Sequence, residues 1–171
     1  MIIRGNRSFI DGNKIYDTAI VGVLGNDFTA KDLTFRNNVG PIKHPEVMLR
    51  VEANLVLFYK CRCDWYQNTL YVKNKRQFYR DSEVYGTIDF ISHTPMPRQY
   101  NTIKTQKRDF EPFESGIVLQ NCTIKATSDL EKLDNVTTYL GRLWGIFSRT
   151  VIIESYIDKL VDLRGRIEWI E

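Results

Sequence analysis

Apolar and polar residues alternate in short runs along most of the chain, and these runs are rich in Val, Ile, Phe and Tyr. Alternation with a period of two is typical of strands with one buried face. Apolar residues seldom recur at the three-and-four spacing of an amphipathic helix. The pattern therefore predicts an all-β protein.

Several runs share one shape: an apolar pair, two polar residues, a small or apolar residue, one polar residue and a closing apolar residue. They cover residues 28–35, 57–63, 78–84 and 118–124, with a looser copy at 151–157. The closing residues are 35, 63, 84 and 124, so the steps between them are 28, 21 and 40 residues. We interpret the last step as nearly two turns of about 20 residues.

Strand-only units that recur in this way favour a parallel β-helix, in which each turn of the chain stacks on the next. The alternative is a β-sandwich with unequal loops. Sandwiches usually contain hairpin dipeptides, whereas this chain has only Asp11-Gly12 and isolated glycines. Residues 92–106, which include Pro95 and Pro97, are predicted to be loop, and residues 126–138 are predicted to leave the coil.

The composition fits a single domain, because 171 residues of which 43% are hydrophobic are too few for two ordinary ones. Lys and Arg number 24 against 21 Asp and Glu, without the dense basic blocks of a nucleic-acid arm. No apolar run approaches the roughly 18 residues that a membrane span needs, and no export signal is visible at the start. We expect a soluble protein that binds neither nucleic acid nor membrane.

The three cysteines, Cys61, Cys63 and Cys122, fit neither a complete disulfide framework nor a four-ligand zinc site. Cys61 and Cys63 are two apart, so on a strand they point to one face and could share a metal. The interpretation that we favour is three buried thiols in stacked turns. We predict no metal and no cofactor.

The common catalytic templates are absent: the chain has no Gly-x-Ser-x-Gly elbow, no phosphate loop and no His-Glu-x-x-His. Ser92 and His93 are adjacent, so on a strand their side chains point to opposite faces, and a loop role is favoured over nucleophilic catalysis. The aromatic residues could stack on sugar rings or belong to the core: Trp65, Tyr66, Tyr71, Trp144 and Trp169.

Asp89 lies between Ile88 and Phe90 in an apolar run. If its carboxylate is buried it needs a partner, and an arginine such as Arg142 is suited to bind it with two hydrogen bonds. The alternative is that Asp89 faces solvent while its neighbours face the core.

Three short stretches are distinctive: Tyr-Gln-Asn-Thr-Leu-Tyr at 66–71, Gly-Thr-Ile-Asp-Phe-Ile at 86–91 and Leu-Gly-Arg-Leu-Trp at 140–144. They resemble the signatures of the plant-type pectin methylesterase (pectinesterase) family. Shorter matches, such as Asp-Leu-Thr-Phe-Arg-Asn at 32–37, extend the resemblance in order over nearly the whole chain. The resemblance implies a right-handed, single-stranded parallel β-helix of the pectin lyase-like type. It also implies that residues 1–171 form one domain and that this β-helix is incomplete at both ends.

The resemblance also implies a reaction without serine or histidine. Asp89 matches the nucleophile that attacks the methyl-ester carbonyl of a galacturonate unit. Arg142 matches the arginine that orients this carboxylate, and Gln67 the donor to the developing oxyanion. Trp144 matches a tryptophan that packs on the sugar.

The chain departs from the family where Asn68 replaces the second aspartate, which protonates the leaving methanol and then activates water. Pro45 stands where another glutamine of the oxyanion region is expected, Ser82 replaces a partner cysteine, and about one strand is missing after Asp89. These departures leave two main hypotheses: an active or weakly active aspartyl esterase, and a non-catalytic pectin-binding protein or the relic of a decaying gene copy. A third alternative is an unrelated β-helix binding module.

The partner that the resemblance implies is methyl-esterified polygalacturonate, bound by a monomer in the extracellular cell wall. In a secreted chain the sequons at Asn6, Asn121 and Asn135 would be glycosylation acceptors.

Overall fold

The computed structural model describes residues 1–5, 19–37, 49–64, 70–72, 75–86, 101–102, 105–106, 110–126, 137–143, 146–159 and 161–167. The regular structure in these ranges consists of strands. They are β1 (Ile2–Gly5), β2 (Val21–Val23), β3 (Thr29–Lys31), β4 (Thr34–Asn37), β5 (Leu49–Val51), β6 (Val56–Tyr59), β7 (Arg62–Asp64), β8 (Leu70–Val72), β9 (Arg76–Arg80), β10 (Glu83–Gly86), β11 (Asn101–Thr102), β12 (Thr105–Gln106), β13 (Gly116–Gln120), β14 (Thr123–Ala126), β15 (Thr138–Tyr139), β16 (Gly141–Leu143), β17 (Thr150–Ile153), β18 (Tyr156–Ile157) and β19 (Arg166–Ile167).

The strands form stacked parallel sheets, so the prediction of a parallel β-helix is confirmed. A six-stranded sheet has the order β1-β4-β7-β10-β14-β18, and a five-stranded sheet has the order β17-β13-β9-β6-β3. Smaller sheets are β2-β5-β8, β11-β15 and β12-β16-β19. The chain visits the sheets in turn and returns one strand further along, which is why every pairing is parallel.

The repeat alignment predicted from the sequence is confirmed by the strand register. The closing residue Phe35 pairs with Cys63, Cys63 with Val84, and Val84 with Ile124. Ile124 pairs in turn with Ile157, the last residue of the looser fifth copy. Equivalent positions of the repeat therefore stack on one another.

The interpretation of the 40-residue step as two turns was wrong. Strand β10 pairs directly with β14 and β9 pairs directly with β13, so the step is a single turn. Strand pairing defines a turn of the coil, whatever the number of residues in it. A longer connection between the strands is tolerated because the entropic cost of closing a loop grows only slowly with its length. The additional residues lie between β10 and β13.

The prediction of loop throughout residues 92–106 was also wrong in part. Residues Asn101–Thr102 pair with Thr138–Tyr139, and Thr105–Gln106 pair with Arg142 and Leu143. Strands of two residues are too short to show alternation, so the partner strand and not the local pattern makes them strands.

The core lies inside the coil, where inward side chains of successive turns stack. Phe58 is fully buried, and its ring lies parallel to that of Tyr79 at a centroid distance of 4.9 Å. Phe28 and Phe35 pack against Phe58 with centroid distances of 6.0 and 6.1 Å. The hydroxyl of Tyr79 donates a hydrogen bond of 2.8 Å to Gln77 Oε1, so this buried polar pair is internally satisfied.

The three cysteines are free and buried, as predicted. Burial raises the pKa of all three thiols, most strongly that of Cys63, so they stay protonated at neutral pH. Ser82 lies in the next turn after Cys61, and its Oγ accepts a hydrogen bond of 3.1 Å from the Cys61 N–H. Cys61, Ser82 and Cys122 occupy equivalent positions of successive turns. The thiol or hydroxyl of each hydrogen-bonds to a backbone carbonyl of the neighbouring turn.

One sharp turn recurs in each coil, between the five-stranded and the six-stranded sheet. Its central residue has a left-handed backbone conformation, with φ between 49° and 55° at Asp32, Lys60, Asp81, Asn121 and Glu154. The N–H groups of the first four donate to carbonyl oxygens of the following turn at 3.0 to 3.1 Å. Asp and Asn tolerate this left-handed conformation, whereas in Lys and Glu it raises the conformational free energy of the folded chain.

We expect Lys60→Gly to stabilise the protein by about 0.5 to 1 kcal/mol. The left-handed conformation costs an L-residue about 1 to 2 kcal/mol, and glycine loses part of this gain through its greater freedom in the unfolded chain. Urea unfolding measures the difference. The matched control is Lys125→Gly in strand β14, which should destabilise the protein, and equal effects of the two changes would contradict the explanation.

Candidate active site

Two neighbouring strands of the six-stranded sheet lead into the stretches that carry the family signatures. Strand β7 ends at Asp64, directly before residues 65–69, and β8 begins at Leu70. Strand β10 ends at Gly86, directly before residues 87–91. The two strands are paired in register, with Cys63 opposite Val84 and Asp64 opposite Tyr85. Because they are parallel, both leave the sheet at the same edge.

A charged network covers the outer face of the sheet at this edge. Asp64 Oδ2 accepts hydrogen bonds from Arg36 Nε and Nη2, at 3.2 and 2.7 Å. Arg62 Nε lies 3.4 Å from the same oxygen, and Arg62 Nη1 donates to Glu83 Oε2 at 3.1 Å. The network therefore links strands β4, β7 and β10 through their side chains.

An aromatic ring extends this network. The guanidinium of Arg62 lies 4.4 Å from the ring centroid of Tyr85, within the range of a cation–π contact. Asp64 is the last residue of β7, and its side chain is 21% exposed. Its ion pairs to Arg36 on β4 and to Arg62 on its own strand fix this strand end in a partly desolvated setting. Each exposed pair contributes only about 0.2 to 1 kcal/mol, so the network orients this edge of the sheet more than it stabilises the fold.

The third signature stretch coincides with strand β16. Arg142 is the central residue of this strand and is paired with Thr105 on one side and Ile167 on the other. The preceding strand ends at Tyr139, which is buried and has the Arg164 guanidinium 5.1 Å from its ring centroid. The backbone of Arg142 is therefore held between two neighbouring strands.

Most of the predicted site residues lie outside the part of the chain that the structure describes. These are Gln67, Asn68, Asp89 and Trp144, together with Pro45, Ser92 and His93. Arg142 is described only through its backbone. The structure brings together the strands β7 and β10 that precede Gln67, Asn68 and Asp89, and the assignment of catalytic roles stays a prediction.

Sequence reasoning did not identify Asp64 and its arginine partners. A signal was present, because Arg36 and Asp64 occupy equivalent positions of the repeat, next to the closing residues Phe35 and Cys63. In a parallel coil such positions are neighbours on adjacent strands, and opposite charges there are expected to pair.

Neither metal-binding clusters nor membrane spans occur in the described ranges. No group of three or more His, Cys, Asp or Glu side chains there could hold a metal ion. No helix in the same ranges has the length and hydropathy that crossing a bilayer requires.

The fold and the position of the signature stretches define the class of protein: a parallel β-helix whose candidate site follows adjacent strands of one sheet. The family model described as pectinesterase matches residues 1–171. The chain belongs to the pectinesterase family.

Similar proteins agree with this membership. The chain is 44% identical to a probable pectinesterase/pectinesterase inhibitor 12 of Arabidopsis thaliana and 41% identical to the pectinesterase/pectinesterase inhibitor PPE8B of Prunus persica. Both alignments cover 98% of this chain, but only 33% and 35% of the relatives. The chain thus spans about a third of their length. The solved pectin methylesterase from carrot is 36% identical with a TM-score of 0.80, over 99% of this chain and 58% of that one.

Proposed function

We propose that this protein acts on methyl-esterified pectin as a carboxylic ester hydrolase, with Asp89 as its nucleophile. The observation that carries the proposal is the in-register pairing of β7 and β10, which lead into the two stretches that match the catalytic signatures. Paired residues of these strands are 21 positions apart. Asn68 and Asp89 are separated by the same 21 positions in the sequence.

The proposed reaction has two steps. The carboxylate of Asp89 attacks the ester carbonyl carbon of a galacturonate unit, and the bond to the methoxy oxygen breaks to release methanol and leave an acyl intermediate. Water then attacks the intermediate, which frees the galacturonate carboxylate and regenerates Asp89. Arg142 holds and orients the Asp89 carboxylate, Gln67 donates to the oxyanion, and Trp144 packs on the sugar ring.

Asn68 limits this reaction. The departing methoxide needs a proton, and the attacking water must lose one. An amide has the shape of the missing acid and can donate a hydrogen bond. It can neither protonate the methoxide nor accept a proton from the water near neutral pH. A positioned general acid/base contributes about 10²- to 10⁴-fold, so we expect a slow esterase.

A second candidate is a pectin-binding protein without turnover. The substitution at Asn68 favours this second candidate. Pro45 favours it as well, because proline has no side-chain donor for the oxyanion region. Both candidates bind the same polymer, which places the protein in the plant cell wall, outside the cell. We expect it to bind the polymer as a monomer and to need no cofactor.

Methanol release from methyl-esterified pectin tests the first candidate. We expect slow but measurable release by the purified protein and at least about 10²-fold less after Asp89→Asn, since an amide is a far poorer nucleophile than a carboxylate. The matched control is Asp27→Asn in an exposed turn, which should leave the rate unchanged. Undetectable release by the parent, together with binding of the polymer, would support the second candidate.

A further inference from the structure

One of the sharp turns of the coil contains a sequon. Asn121, Cys122 and Thr123 have the Asn-x-Thr pattern that N-linked glycosylation requires. Asn121 is the central residue of the turn between β13 and β14, where its φ is 49° and its side chain is exposed. Thr123 is the first residue of β14 and is half-buried. The sequons at Asn6 and Asn135 lie outside the described residues, so this is the sequon whose surroundings the structure describes.

The side-chain amide of Asn121 has room and chemistry for a sugar. Its Nδ2 donates a hydrogen bond of 2.8 Å to Asp81 Oδ1, from the same position of the preceding turn, and this contact is exposed. A primary amide has two N–H donors, and attachment of a sugar replaces one of them. The remaining N–H can keep the contact with Asp81. Attachment therefore neither buries a polar group nor displaces a side chain of the core.

The middle residue of the sequon points the other way, into the core. Cys122 is 1% exposed, and its Sγ donates to the Tyr79 carbonyl oxygen at 3.5 Å. Its thiol is free, as are those of the other two cysteines. A disulfide at this position would restrain the residues on both sides of it. The free thiol leaves Asn121 and Thr123 without that restraint.

In the folded coil the backbone of the sequon is hydrogen-bonded to the following turn. The Asn121 N–H donates to the Ile153 carbonyl oxygen at 3.0 Å, and the Cys122 N–H donates to Ser155 Oγ at 3.0 Å. A transferase has to bind the acceptor segment in its own active site, so these bonds must be open during transfer. Ser155 lies 33 residues after Cys122. The sequon is therefore accessible until β17 and β18 have paired.

The Asn121 turn and the candidate active site lie at opposite edges of the six-stranded sheet. The turn leads into the amino end of β14, which pairs in register with β10. The two signature stretches follow the carboxyl ends of β7 and β10. A strand of four residues is about 13 Å long. A sugar on Asn121 is separated from the site by this length and leaves it accessible.

We propose that Asn121 is an N-glycosylation acceptor that is modified before the coil closes around it. The donor is an oligosaccharide carried on a lipid pyrophosphate. Asn121 Nδ2 forms a bond to the anomeric carbon of the first sugar, and the bond from that carbon to the pyrophosphate oxygen breaks. Nδ2 loses one proton to the transferase, and the lipid pyrophosphate leaves. The proposal rests on the extracellular location given with the proposed function.

The experiment expresses the full chain with an added secretion signal in eukaryotic cells. An amidase then releases the glycans in water enriched in heavy oxygen, which converts each carrier asparagine to a labelled aspartate. We expect peptide mapping by mass spectrometry to find the label at Asn121 in most molecules. Thr123→Val should abolish it, because valine keeps the branched shape but lacks the hydroxyl, whereas Thr123→Ser should retain it. Asn121→Gln should lose the glycan and release methanol at the parent's rate.

The timing is tested with two forms of the same chain. The chain translated into microsomes should receive a glycan at Asn121. The folded chain purified without glycan from bacteria, incubated with the same transferase and donor, should be modified at least about tenfold less, because its sequon opens only by local unfolding. Equal modification of the two forms would overturn the timing.

Other outcomes would overturn the acceptor assignment. They are the absence of label at Asn121 in the secreted protein and a label that Thr123→Val leaves unchanged. Faster methanol release by Asn121→Gln than by the glycosylated parent would contradict the separation of the glycan from the candidate site. Occupied Asn121 without any methanol release would count against the proposed esterase alone, so the two proposals can fail independently.

Discussion

Replacing Asn68 by aspartate is expected to raise the rate of methanol release from methyl-esterified pectin by about 10²- to 10⁴-fold. The change restores a group that can protonate the leaving methanol and then deprotonate the attacking water. The side chain keeps its size, so the effect should appear in kcat more than in KM. Release should also become dependent on pH through the new carboxyl group.

The controls for this prediction separate chemistry from folding. Asn68→Ala removes the amide without supplying a carboxyl group and should give no increase. Asn68→Asp combined with Asp89→Asn should stay inactive, because the nucleophile is then missing. If Asn68→Asp alone fails to increase the rate, adding Pro45→Gln tests the oxyanion region, where one donor is worth about 10²- to 10³-fold. A double variant Asn68→Asp with Pro45→Gln that is no faster than Pro45→Gln alone would contradict the role given to the amide.

Phe58→Ala is expected to lower the free energy of unfolding by about 3 to 5 kcal/mol. Phe58 is 0% exposed and contacts aromatic rings on three sides, so the deletion leaves a cavity that rigid strands cannot close. At about 2 to 4 °C per kcal/mol for a chain of this size, Tm should fall by roughly 10 °C. Thermal unfolding followed by circular dichroism measures it.

Phe113→Ala is the matched control, because it deletes the same atoms from an exposed position. Phe113 is 56% exposed and packs edge-on against Phe110 at 5.7 Å. Its replacement should cost less than about 1 kcal/mol. A similar loss of stability in both variants would mean that the stack around Phe58 is not the centre of the core.

The register of the coil could be predicted from the sequence because each turn repeats the same constraint. Phe35, Cys63, Val84 and Ile124 stack as the repeat alignment requires. Inward positions are apolar in most turns, and the buried polar residues Gln77 and Ser82 have internal hydrogen-bond partners. A shift by one residue would expose the whole apolar set. The burial of the three cysteines follows from the same alternation.

The number of turns could not be predicted in the same way. The 40 residues between Val84 and Ile124 form one turn, because spacing along the chain does not determine which strands pair. Strands β11 and β12 depend likewise on partners far away in sequence. The pairing of Asp64 with Arg36 was visible only once the two strands were known to be neighbours.

The sequence by itself determined the family, the alternating core and the identities of the residues matched to the catalytic positions, including Asn68. These are local properties, since each depends on residue type and on spacing within a short segment. Only the tertiary structure decided the number of stacked turns, the charged network at the ends of β7 and β10, and the position of the Asn121 turn at the opposite edge of the six-stranded sheet from the candidate site. These features depend on contacts between residues 20 or more positions apart, and such contacts exist only once the coil has closed.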